Sequence, residues 1–206
     1  MVISAPSGAG KTSVLFETLK SHPEIVFSVS STTRLPREGE HEGVNYHYIS
    51  EAEFDSLADK GEFLEWNIVH GNKYGTLKRP VEEVVERGGS IILDTDTVGA
   101  FNIRKFYPDA VLIFVLPSSP DVLRERLMNR DTETGELIRR RLMNAPGEIS
   151  RMSEFDYIVI NEDLKTAVSQ LNAIITAEKI RSSRIFPALT EWRDYINGGA
   201  RGEKKR

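Results

Sequence analysis

Near its start the chain reads M-V-I-S-A-P-S-G-A-G-K-T, an apolar run passing into a glycine-rich turn that ends in Lys11 and Thr12. The spacing is close to G-x-x-x-x-G-K-[ST], the phosphate-binding loop, with Ala5 where the first glycine would stand. Such a loop works through its backbone. Gly8 and Gly10 let successive N–H groups turn inward onto phosphate oxygens, and the N-terminus of the following helix helps. Lys11 is spaced to meet the β- and γ-phosphates, and the Thr12 hydroxyl to sit on Mg²⁺. The plain alternative is a strand–turn–helix with a solvent lysine, which rarely carries this pattern between apolar flanks. The motif predicts a bound nucleoside triphosphate and leaves its use open.

A second set of residues has the chemistry of an anion acceptor. In S-V-S-S-T-T-R-L-P-R-E-G-E, Arg34 and Arg37 stand three apart amid hydroxyls and beside a proline. Two planar, permanently charged forks can grip one phosphate from two sides, and Tyr46 and Tyr74 can add hydroxyl donors. A polar turn with salt-bridged arginines would look the same. Glu65 lies between Leu64 and Trp66. A buried carboxylate needs donors, and guanine offers N1–H and N2–H side by side, where adenine has no such pair. Glu65 could instead face solvent on an edge strand. Asp94 and Asp96 end the apolar run I-I-L-D-T-D, at the carboxyl end of a strand where parallel sheets bind ligands. Asp94 could approach the metal through water, and Asp96 the acceptor. Either could equally cap the next helix.

The elements that must position these groups follow from the apolar pattern. Runs at 2–4, 26–29, 91–94, 111–116 and 157–160 predict five short buried strands. Helical spacing at 15–19, 98–106, 122–127 and 164–175 alternates with them. This is an α/β pattern: a parallel sheet covered on both faces. Residues 31–80 break the rhythm, with half-exposed strands at 46–49 and 63–66 and turn glycines between them. They predict a small mixed or antiparallel lobe inserted in the core. Residues 128–150 are charged and strandless, a helical flap. Phe186, Leu189, Trp192 and Ile196 have amphipathic spacing, so a last helix is expected to pack on the core. The run from Gly198 to Arg206 is expected to be a disordered tail. Only three residues precede Ser4, which leaves room for a natural start upstream.

Composition narrows the function. At 206 residues the chain suits one domain with inserted lobes. It has no cysteine, which excludes disulfides, thiolate metal sites and cysteine nucleophiles and fits a cytoplasmic protein. A net charge of −4 argues against a general nucleic-acid binder. No apolar run approaches membrane-spanning length, so no membrane partner is expected. The arginines are nevertheless clustered: Arg124, Arg126, Arg130, Arg139, Arg140 and Arg141 crowd one stretch. That suits a phosphorylated small molecule, or a solvated helix face.

In order along the chain, the motifs S-A-P-S-G-A-G-K-T, S-V-S-S-T-T-R-L-P-R-E-G-E, G-V-N-Y-H-Y-I-S, F-L-E-W, G-N-K-Y-G-T, I-L-D-T-D and V-I-N-E-D-L resemble guanylate kinase. The resemblance runs from Val2 to about residue 180. It implies a P-loop NTPase core with a five-stranded parallel sheet (residues 1–30, 81–127 and 151–180), a GMP-binding lobe at 31–80, a lid at 128–150 and a C-terminal segment at 181–206. It implies transfer of the γ-phosphoryl group of ATP to GMP, and dGMP as a further acceptor, with Mg²⁺, for guanine nucleotide synthesis and recycling. The partners are then ATP and GMP, in a monomer or homodimer. Carried over by position, Ser7, Gly8, Ala9, Gly10, Lys11, Thr12, Ser13 and Asn161 would hold ATP, with Asn161 near the adenine. Ser30, Glu65 and Thr76 would meet guanine, with Asp96 nearby. Arg34, Arg37, Tyr46 and Tyr74 would clamp the GMP phosphate. Lys11, Arg34, Arg130 and Arg141 would be catalytic, the last two from the lid.

The chain departs from the family pattern at Lys73, where a tyrosine is usual, and at Asn129-Arg130-Asp131, where G-R-G is usual. Three rivals remain in view. A GTPase switch reads guanine with N-K-x-D, and the Asn-Lys pair here is followed by Tyr74 and Gly75. A kinase for another monophosphate would share the fold. A non-catalytic scaffold module that binds phosphopeptides typically has a degraded ATP loop, whereas Lys11 and Thr12 are intact.

Overall fold

The computed structural model of the chain describes residues 1–69, 71–129 and 135–202. In chain order its elements are β1 (Val2–Ser4), α1 (Lys11–Leu19), β2 (Ile25–Ser28), β3 (Ser31–Thr32), β4 (His47–Tyr48), α2 (Glu51–Asp59), β5 (Phe63–Val69), β6 (Asn72–Leu77) and α3 (Lys78–Glu86). There follow β7 (Ser90–Asp94), α4 (Thr97–Phe106), β8 (Leu112–Leu116), α5 (Pro120–Met128), α6 (Gly135–Ile149), β9 (Tyr157–Ile160), α7 (Leu164–Lys179), α8 (Ser182–Ile185) and α9 (Thr190–Gly202). The chain divides into two compact units, Met1–Val168 and Ser169–Arg206.

The first unit is built on a five-stranded parallel sheet in the order β2-β7-β1-β8-β9. Strands buried on both faces are apolar at every position rather than at alternate ones. Accordingly Val2, Ile3, Leu112, Ile113, Phe114 and Val115 have no exposed surface. Burial of such side chains stabilises the fold by about 1.5–3 kcal/mol each. On one side of the sheet Ala100 and Ile103 of α4 and Val81 of α3 complete the core, and Phe155 packs between Phe101 and Phe114. β1 lies between β7 and β8, so the segments leaving β1 and β7 emerge side by side at the carboxyl edge. That edge is where parallel sheets open a crevice for ligands.

A second, mixed sheet runs β4-β3-β6-β5. β3 pairs parallel with β4 and antiparallel with β6, which in turn pairs antiparallel with β5. Phe54 of α2 seals its underside, stacked on Phe63 at 4.4 Å and edge-on to Trp66 at 6.0 Å. The sequence did not single out α2, yet its start is a legible capping pattern, Ser50-Glu51-Ala52-Glu53: the Ser50 hydroxyl accepts from the Glu53 N–H at 3.2 Å. α3 was also not expected. It is mostly charged and buries one side chain, Val81.

The C-terminal expectation is corrected. Helix α9 continues through Gly202, although glycine is a poor helix former, because extending a formed helix adds a hydrogen bond without a new nucleation step. Residues 203–206 lie outside the described residues. Phe186, Leu189, Trp192 and Ile196 are all exposed, not buried as their amphipathic spacing suggested. Among the described residues no helix is long and apolar enough to cross a membrane.

Candidate functional site

Residues 5–12 leave the end of β1 and turn into α1. The turn needs two left-handed residues, Gly8 at φ 90° and Gly10 at φ 82°, the latter capping α1. Neither tolerates a side chain: a Cβ at Gly8 would lie 2.8 Å from the Leu127 side chain, and one at Gly10 would strike the Asn161 amide. The loop is held from outside. The Ala9 carbonyl accepts from Asn161 Nδ2 at 2.7 Å and from Arg126 at 3.3 Å, and Arg126 also donates to the Asn161 carbonyl at 3.0 Å. On the other flank α6 reaches Ser7. Arg141 donates to the Ser7 hydroxyl, and Glu148 accepts the Ser7 N–H at 3.3 Å. Burial pushes the Glu148 carboxyl above its ordinary value. Lys11 forms an ion pair with Asp94 and donates to the Thr95 carbonyl at 3.3 Å.

Facing the loop is a cluster of cations and phenols. The Arg34 guanidinium is gripped by Glu40, both of whose oxygens lie 2.9 Å from it, and it donates to the Tyr74 hydroxyl at 3.2 Å. Burial opposes its charge, but the bonds to Glu40 and Tyr74 outweigh that and hold its pKa above the ordinary value. Glu40 also accepts from the Arg37 N–H and the Tyr48 hydroxyl, both at 2.8 Å. Burial raises the Tyr46 pKa, so its phenol stays protonated as a donor. The Tyr46 and Tyr74 rings meet edge to face at 5.7 Å.

Beside this cluster lies a carboxylate with unusual surroundings. β5 is an edge strand, yet Glu65 is only 7% exposed while its neighbour Trp66 is 45% exposed. The strand packs against α4, and the close approach depends on Gly99: a Cβ there would strike the Thr95 hydroxyl and the Glu65 carboxylate. Thr76 donates to Glu65 Oε1 at 2.6 Å. Burial still dominates and pushes Glu65 up to about 7, with the nearby charge of Asp96 adding to it. Asp96 caps α4, accepting the Gly99 N–H at 2.8 Å, and accepts from Asn67 at 2.9 Å. Capping and a place in the cleft, set as alternatives by the sequence, thus hold together.

One cleft of about 340 Å³ is lined by both halves: residues 5–13 on one side, and Ser30, Arg34, Arg37, Tyr46, Glu65 and Tyr74 on the other, with Asp94 and Asp96 at its floor and the buried Arg141 also lining it. A family model for guanylate kinase matches residues 1–178. The chain belongs to the guanylate kinase family. Among relatives of that name, one from Symbiobacterium thermophilum is 48% identical over 93% of this chain and 90% of its own length. One from Carboxydothermus hydrogenoformans is 42% identical over 97% and 95%. The crystal structure of guanylate kinase from Anaplasma phagocytophilum superposes with a TM-score of 0.74 at 34% identity, covering 89% of this chain and 87% of that one.

Two residues expected to touch nucleotide do not line the cleft. Thr76 has no exposed surface and spends its hydroxyl on Glu65. Asn161 is 6% exposed and spends its amide on the Ala9 carbonyl. Arg130 lies outside the described residues. Several groups that build the site were not singled out: Glu40, Asn67, Gly99 and Glu148, and Arg126 was seen only as one of a cluster. Alternation along β5 from Glu65 would have pointed to Asn67, and the R-x-x-R-E-G-E run to Glu40.

Proposed function

We propose that the cleft holds the two nucleotides of the family's reaction, ATP + GMP → ADP + GDP, with the loop as donor side and the lobe at 31–80 as acceptor side. The observation that carries this is the buried Glu65 carboxylate opening into the same cleft as the phosphate-binding loop. Glu65, ionised, accepts the N1–H and N2–H of guanine, Ser30 and Asp96 complete that wall, and Thr76 acts through Glu65. Arg34, Arg37, Tyr46 and Tyr74 bind the acceptor phosphate, with Glu40 keeping Arg34 charged and aimed.

Residues 7–13 cradle the ATP phosphates through the loop N–H groups and Lys11, and Asn161 keeps the loop in shape rather than meeting adenine. Arg141, with Arg130 in the same role, closes residues 128–150 over the phosphates as a lid. The acceptor is a phosphate oxygen already ionised at neutral pH, so no general base is required. The rate then comes from in-line placement and from neutralising repulsion between two highly charged nucleotides. Exclusion of water by the lid limits wasteful hydrolysis.

The residues suit Mg²⁺ in part. The Thr12 hydroxyl and the Asp94 carboxylate are hard oxygen donors in the cleft, and among the described residues no cluster of three metal-ligating side chains occurs. A Mg²⁺ ion would therefore draw its remaining ligands from the nucleotide phosphates and water, and would supply charge neutralisation there. We extend the acceptor range to dGMP and the role to guanine nucleotide synthesis and recycling in the cytoplasm.

The test is a coupled assay of ADP release with ATP and Mg²⁺ and, in turn, GMP, dGMP, AMP and ribose 5-phosphate. Turnover with GMP and dGMP alone is expected. Equal rates with AMP would refute the role given to Glu65.

A further inference from the structure

Strand β5 turns every second side chain toward the cleft. Glu65, Asn67 and Val69 line it, while Trp66 and Ile68 are exposed. Asn67 is bonded on both sides of its amide. Its Oδ1 accepts the Ile68 N–H at 2.8 Å, which fixes the way the amide faces, and its Nδ2 donates to Asp96 Oδ2 at 2.9 Å. The second oxygen of Asp96, Oδ1, is committed to the Gly99 N–H at 2.8 Å. Asp96 is therefore pinned by one bond from its own helix start and one from strand β5. The second bond matters because Asp96 shares this end of the cleft with another acid, Glu65. Without the amide, repulsion between the two carboxylates and the freedom of the Asp96 side chain would both work against a fixed acceptor wall.

We propose that Asn67 is a positioning residue of the acceptor site: by holding Asp96 beside Glu65 it sets the affinity for the guanine monophosphate without touching the phosphates that react. This rests on the acceptor role assigned above to the Glu65 side of the cleft. Asn67 also joins the mixed sheet to the turn that follows β7, so the bond ties the acceptor wall to the floor that carries Asp94.

The experiment compares the full-length wild type with Asn67→Ala, Asn67→Asp, Asp96→Ala and the double variant Asn67→Ala/Asp96→Ala, reading steady-state kinetics against GMP and ATP. Asn67→Ala should raise KM for GMP about tenfold, as expected for a lost hydrogen bond to a charged group, with kcat within about twofold and KM for ATP unchanged. Asn67→Asp keeps the shape but sets a carboxylate against Asp96, and should raise KM for GMP by more, about thirtyfold. It also keeps the test readable if the alanine variant folds poorly. The double variant should be no worse than Asp96→Ala alone, because Asn67 acts through Asp96. Additive losses in the double variant, parallel losses in kcat and ATP affinity, or wild-type KM in both Asn67 variants would overturn the proposal. A wild type inactive on GMP would instead overturn the acceptor role itself, and this inference with it.

Discussion

On the donor side of the cleft, eight consecutive residues leave β1 and enter α1, and what they present is mostly backbone. On the acceptor side, Ser30, Arg34, Tyr46, Glu65, Tyr74 and Asp96 arrive from separate stretches of chain, and what they present is side chains. The contrast follows from the ligands' chemistry. Phosphates common to every nucleoside triphosphate can be met by N–H groups that any sequence possesses, provided glycine allows the turn. A particular base needs particular donors and acceptors, and these must be brought to one point by the fold. The donor side should therefore fail at its glycines and its lysine, and the acceptor side at its charged groups and whatever shapes their burial.

The sharpest break is expected at one cation from each half. Lys11→Ala and Arg34→Ala should each lower GMP phosphorylation by at least about a hundredfold in a coupled ADP assay, as typical for loss of a transition-state electrostatic contact. Near-wild-type turnover in either would remove that half from the mechanism. Next comes Gly99→Ala, which places a methyl group against Glu65 and Thr95. KM for GMP should rise about thirtyfold while ATP binding, measured by equilibrium titration, stays as in the wild type, since loss of a well-placed polar contact commonly costs about 2 kcal/mol. Equal damage to both nucleotides would mean that the halves are not separable.

A smaller effect concerns protons. Glu65 must be ionised to accept both guanine N–H groups, and its pKa is about 7. KM for GMP should therefore be about tenfold higher at pH 6 than at pH 8, as a single ionisation of that pKa requires. Titration of the substrate phosphate is common to wild type and Glu65→Gln, so the difference between their profiles isolates the carboxyl. Stability has its own sign. A carboxyl whose folded pKa is raised contributes fully below its ordinary value of 4.5, and that contribution is lost as pH rises through about 7. Glu65→Gln should gain Tm relative to wild type between pH 5 and pH 8. A difference in Tm that is flat with pH would argue against the burial of that charge. Smallest of all, Asn161→Ala should raise KM for ATP about threefold, because the Ala9 carbonyl loses its buried 2.7 Å donor while Arg126 still holds it. A change in KM for GMP alone would contradict its place on the donor side.

The same contrast explains which features are legible in the sequence alone. The five core strands and the loop are local patterns, and the strand order then places the loop and Asp94 together at one sheet edge. Arg34, Tyr74 and Glu65 were legible as residue types with a chemistry. Whether Glu65 was buried was not, because alternation along an edge strand cannot report that α4 covers one face. Thr76 and Asn161 were read as ligand contacts because a motif fixes position, whereas their hydroxyl and amide are spent on neighbours. Gly99 carries no pattern at all. Its importance lies in what a side chain there would strike, which is a property of two elements far apart in sequence.

The carbonyl of Ala9 is held by Asn161, just past the last strand of the sheet, and by Arg126 at the end of α5. The nucleotide loop is thus not a portable cassette. A fragment cut after α5 would keep every letter of the motif and Arg126, but lose Asn161 and the two α6 residues, Arg141 and Glu148, that hold Ser7. The smallest piece expected to retain the donor site runs from Met1 through at least Glu162, so any split or circularly rearranged version of this enzyme must carry the far edge of the sheet along with its first twelve residues.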